Sequence, residues 1–109
     1  MDKRKTSRGF DIVTFTDLYD AKCSIQESSL ASQDAIWLGI DDPNPQILVS
    51  DARRLGVNVD NDIHAVATGW QSCPIPKEVS LTTRMHLNRK QAKAIVRILN
   101  KFIRTGSIN

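Results

Sequence analysis

Residues 79–106 read VSLTTRMHLNRKQAKAIVRILNKFIRTG, and the fold turns on where the spacing of their apolar side chains changes. From Val79 to Leu87 the chain alternates. Val79, Leu81, Thr83, Met85 and Leu87 share one side, and Ser80, Thr82, Arg84 and His86 share the other, which is the period of a half-buried strand. At Asn88 the period lengthens. Ala92, Ile95, Val96, Leu99, Phe102 and Ile103 recur at three- and four-residue steps and make one apolar helical stripe. Asn88 with Gln91 three residues on is a capping-box pair, and Gly106 suits a left-handed stop, with Lys101 and Arg104 in the last turn.

Working outward, Pro74-Ile75-Pro76 is an extended lead-in to that strand. Residues 35–40 (Ala-Ile-Trp-Leu-Gly-Ile) and 22–28 alternate clearly and are joined by six polar, turn-like residues, so an antiparallel hairpin is expected. Residues 9–20 alternate more weakly and read as a short edge strand running into a turn at 17–20. Asn44-Pro45 is a helix-start pair and Gly56 a stop, so a short helix is expected between them, with a strand over 47–49 as the alternative. Residues 57–73 show little periodicity and read as a long excursion.

These elements predict an α+β fold: a small antiparallel sheet of three or four strands with the C-terminal amphipathic helix packed on one face. Residues 1–9 are expected as a flexible basic arm and residues 10–109 as a single α+β domain. The helix is expected to lie on the side carrying Ile25, Ile36, Leu38, Leu81, Met85 and Leu87. The opposite side then gathers Ser24, Gln26, Ser28, Trp37, Thr82, Arg84 and His86.

The chain has 109 residues and a net charge of only +3, but its charges are segregated. Residues 1–8 carry four bases and one acid, residues 9–78 four bases and eleven acids, and residues 79–109 seven bases and no acid. On the helix, Lys90, Lys93, Arg97, Lys101 and Arg104 follow one another at helical steps. They form either a solvated face or a surface for an anionic partner such as nucleic acid, a nucleotide or an acidic protein. No apolar run is long enough for a membrane span, and the basic start has no apolar stretch behind it, so no secretory signal is expected.

The most concrete ligand site is Arg84, His86, Trp37, Gln26 and Ser28. Arg84 would supply a fork of donors for phosphate, His86 a donor or acceptor, and Trp37 a flat surface for stacking. The plain alternative is that Trp37 packs under the 41–73 segment while Arg84 pairs with Asp17 or Asp20. Enzyme chemistry is not expected: no nucleophile-elbow pattern surrounds a serine, and Cys23 and Cys73 lie in no reactive motif. Cys23, His64, Cys73 and His86 lack the paired spacing of a zinc site, and Asp41, Asp42, Asp60 and Asp62 lack that of a calcium loop. No metal or cofactor is therefore expected. A sequence-specific DNA reader is not indicated either, although the basic helix row suits backbone contacts.

Four segments carry a family likeness: 15–19 (FTDLY) with 23–31 (CSIQESSLA), 35–39 (AIWLG), 74–76 (PIP) with 83–89 (TRMHLNR), and 102–106. Together they resemble a widespread set of small proteins encoded in bacteriophage and prophage genomes, over residues 10–42 and 69–107. The resemblance implies a phage origin, a host bacterial cytoplasm and a binding role directed at host defence. Two forms of that role follow: sequestering an immune nucleotide, which favours a homo-oligomer, or inhibiting a host nuclease or CRISPR effector by direct protein contact.

Overall fold

The computed structural model describes residues 1–57 and 69–109. Residues 58–68, part of the expected excursion, lie outside the described residues, and with them Asp60, Asp62 and His64. The described residues form two units, Met1–Asp42 with Thr82–Asn109, and Pro43–Leu81.

The first unit holds a five-stranded sheet and a helix. Strands β1 (Asp2–Lys5), β2 (Asp11–Thr16), β3 (Lys22–Glu27) and β4 (Ala35–Ile40) follow one another as an antiparallel meander. A later strand of the chain, Arg84–Asn88, pairs antiparallel with β4 and closes the order. The fold is thus α+β, with more strands than the three or four expected. Residues 2–5, expected within a mobile arm, instead form the edge strand, with Lys5 opposite Asp11 and ion-paired to it. Residues 9–20 accordingly supply an inner strand. The β2–β3 turn is held by Asp17, whose Oδ1 accepts from the backbone N–H of Tyr19 and of Ala21, each at 2.9 Å, while Asp20 adopts a left-handed conformation.

Register sorts the side chains into two faces. Val13 and Phe15, Cys23 and Ile25, Ile36, Leu38 and Ile40, and Met85 and Leu87 lie on one. Ile12 and Thr14, Ser24 and Gln26, Trp37, Arg84 and His86 lie on the other.

The second unit contains β5 (Gln46–Leu48) paired antiparallel with β6 (Trp70–Ser72), and α1 (Val49–Leu55), which follows β5 directly. The strand alternative at 47–49 therefore holds for its first two residues, and the helix starts later than Asn44-Pro45 suggests. Asn44 takes a left-handed φ of 41° instead of capping a helix, and the carbonyl of Pro45 accepts from the Cys73 N–H, extending the ladder. Val49 and Ala52 are buried, and Gly56 ends α1 in the left-handed conformation.

The strand Arg84–Asn88, named β7, is shorter than the alternation over 79–87 predicts. Its ladder with β4 begins at the Gly39–Arg84 pair; Val79 and Leu81 lie in the second unit, 49% and 42% exposed. Alternation marks a chain able to pair, but pairing needs a neighbour, and β4 offers none before Arg84.

Helix α2 (Arg89–Thr105) begins at the residue after β7. Its capping box is complete. The Asn88 side chain accepts from the Gln91 N–H at 2.9 Å, and the Gln91 side chain accepts from the Asn88 N–H at 3.0 Å. Gly106 closes it in the left-handed conformation. The expectation that α2 buries its stripe on the chain's own sheet is not met. No α2 residue is buried; Val96, Leu99 and Phe102 are about half exposed and Ile103 is 78% exposed. The reason is covalent. With no residue between β7 and α2, the chain cannot make the reversal that returning over the sheet requires, for which βα connections of about 2–6 residues are usual.

Candidate functional site

The polar face of the sheet brings Gln26, Ser28, Trp37, Arg84 and His86 together across three strands. Gln26 stands opposite Trp37, Trp37 opposite His86, and Gly39 opposite Arg84. The Ser28 N–H donates to the Ala35 carbonyl, which continues the β3–β4 ladder and keeps the Ser28 side chain on the same face as Gln26. All five placements follow from the period of two combined with the strand order.

The side chains touch. The His86 ring stacks on Trp37 with centroids 3.9 Å apart and planes 6° from parallel. His86 Nε2 is 2.8 Å from the Ser28 hydroxyl. The Arg84 guanidinium carbon lies 5.5 Å from the Trp37 ring centroid, and Arg84 Nη1 donates to Gln26 Oε1 at 3.1 Å. Arg84 thus bonds to Gln26 where an ion pair to Asp17 or Asp20 was the alternative. The bond to Gln26 fixes the guanidinium, and among the described residues no other side chain takes its N–H donors. His86 is exposed and Arg84, Trp37, Gln26 and Ser28 are half-buried. On the same face Ser24 is fully buried, and its hydroxyl donates to Asp41 Oδ1 at 2.6 Å.

Two further residues join this region that the sequence did not single out. A depression of about 190 Å³ beside Trp37 and Gln26 is lined by Arg8, Phe10, Thr6 and Ser29 among others. Arg8 lies over the Phe10 ring, its guanidinium carbon 5.8 Å from the centroid. Arg8 reads as one more charge of a basic arm. Only the pairing of β1 with β2 folds the turn between them next to Trp37, and no local pattern signals that. The depression is smaller than the ~300–1,000 Å³ typical of small-molecule sites, so one chain offers a shallow platform instead of an enclosing pocket.

Lys90, Lys93, Arg97, Lys101 and Arg104 all lie on α2, and among the described residues none of them is in an ion pair, whereas Arg89 sits 3.6 Å from Asp34. At 100° per residue their row lies opposite the apolar stripe and leaves a cationic strip on the outer side of the helix.

Cys23 lies on the apolar face, away from His86, so these two are not a nucleophile and base. Burial pushes the Cys23 thiol above its ordinary pKa, and the Asp17 and Asp41 carboxylates push it further up. Both cysteines are free. Among the described residues no three His, Cys, Asp or Glu side chains gather as metal ligands, and no helix is long and apolar enough to cross a membrane.

Compared with known proteins, the chain matches no family model, no curated protein and no solved structure.

Proposed function

We propose that this is a non-enzymatic phage accessory protein of the host bacterial cytoplasm that binds an anionic nucleotide on the polar face of its sheet and so withholds a host immune signal. The observation that carries the reading is the parallel Trp37–His86 stack with Arg84 fixed beside it by Gln26. A purine or pyrimidine ring extends such a stack, because every base has a π-face, while a guanidinium held in place takes a phosphate through paired N–H donors. Arg8, at the depression next to Trp37, supplies a second cation for a diphosphate or a cyclic dinucleotide. The free edge of His86 remains available to a hydroxyl or phosphate oxygen, with Ser28 orienting the ring.

The test is a thermal-melt panel of cyclic mono- and dinucleotides against the full chain. A ligand at a hundred times its Kd stabilises the fold by about 2.7 kcal/mol, an easily read rise in Tm. Arg84→Ala and Trp37→Ala are each expected to abolish the rise while the unliganded protein still melts cooperatively. No rise with any nucleotide overturns the reading.

The unpaired cations of α2 favour a second reading, backbone-level nucleic-acid binding, and duplex DNA belongs in the same panel. Under that reading affinity falls steeply with salt and Lys93→Glu with Arg97→Glu removes it, whereas Arg84→Ala leaves it unchanged.

A further inference from the structure

We infer that a second copy of this chain covers the apolar face of the sheet with its own α2, and receives the first copy's α2 in return. The surface involved is the opposite side of the sheet from the nucleotide platform, so the inference stands whether or not a nucleotide binds.

Among the described residues, one unit presents two apolar surfaces without a partner of its own. The first is the α2 stripe, where Val96, Leu99, Phe102 and Ile103 are each half or more exposed. The second is the sheet face, where Met85 is 52% and Ile40 38% exposed and Phe15, Ile25, Ile36 and Leu38 are only half-buried. The absence of any residue between Asn88 and Arg89 stops a chain from bringing the two together by itself. A two-fold axis brings both together at once, because each copy presents the same helix and the same face. Covering the exposed parts of these side chains removes on the order of 800 Å² per copy, one side of a standard stable interface.

The exposed sheet face selects the sheet as the partner of the helix, because helix packed on helix would leave that face uncovered. Helix α2 holds Arg89, Lys90, Lys93, Arg97, Lys101 and Arg104 and no acid, with Lys90, Lys93, Arg97, Lys101 and Arg104 on the side away from its apolar stripe. Laid on the sheet of the other copy, α2 buries its apolar stripe and keeps its cationic strip in solvent.

The experiment uses the full chain. Sedimentation equilibrium is expected to give twice the mass of one chain, or a multiple built from such pairs, and Leu99→Asp is expected to weaken association at least about 30-fold. A second measurement, which does not depend on that variant keeping its fold, uses apolar-face cysteines. Chains carrying Leu99→Cys are mixed with chains carrying Met85→Cys or Ile36→Cys and oxidised, with the unsubstituted chain as blank. Mixed disulfides between the helix and sheet variants are expected. A monomeric mass, capture of Leu99→Cys chains only by one another, or capture of neither overturns the inference.

Discussion

At Gly39 the backbone of β4 passes so close to β7 that a Cβ there would press on the Thr83 carbonyl oxygen and lie 2.8 Å from the Arg84 Cα. Both obstacles are main chain, which cannot swing aside. Gly39→Ala must therefore push β7 away from β4, at a cost of about 1–3 kcal/mol and a fall in Tm of roughly 5–15 °C. The same shift withdraws Arg84 from Trp37 and Gln26, so the proposed nucleotide binding is expected to weaken with stability; an unchanged Tm counts against the close approach described. At this scale the candidate site was largely legible. Arg84 and His86 are two apart on a strand, and Gln26 and Ser28 are two apart on another, so each pair had to share a face. Why Gly39 is a glycine was not legible, because nothing local to residues 35–40 indicates which strand comes alongside.

Among the elements, β1 is held at the sheet's edge by one ladder and by the Lys5–Asp11 pair, whose side chains are 66% and 59% exposed. The hydrogen bond to Lys5 holds the Asp11 carboxyl below its usual value, and the same bond raises Lys5. The stabilisation from Asp11 is present above the unfolded carboxylate pKa of about 3.9 and is lost as pH falls through the lowered folded value. That from Lys5 is present below about pH 10.4 and is lost as pH rises through the raised one. Amide chemical shifts of residues 3–5 are expected to move toward random-coil values as acid protonates Asp11, and that step is expected to be absent in Asp11→Asn. Shifts that stay fixed in acid would separate β1 from this pair. Reading residues 1–9 as an arm failed because four bases among eight residues resemble a solvated tail, whereas the partner that orders them, Asp11, lies across a turn. The strands at 22–27 and 35–40 were legible because each has a paired neighbour along its whole alternation. Residues 79–83 alternate as well but pair with no strand among the described residues.

For the whole molecule, stability is expected to depend on protein concentration. An isolated helix of 17 residues is marginal in water, and α2 receives little support from its own chain. If the second copy supplies that support, Tm rises with each tenfold increase in concentration and α2 gains amide protection along its apolar stripe. A Tm independent of concentration would mean that α2 stands without help. The sequence showed that α2 has an apolar side but not what meets it, because amphipathic spacing is the same whether the covering surface belongs to the same chain or to another.

Under the proposed exchange of helices, the direct splice of strand to helix at Asn88–Arg89 makes quaternary structure a matter of chain length at a single peptide bond. A few pliant residues inserted there would let the helix swing home, turning an interlocked pair into self-sufficient singles. Evolution would thus have an easy way to move between shared and solitary forms without altering one side chain of the sheet's polar face.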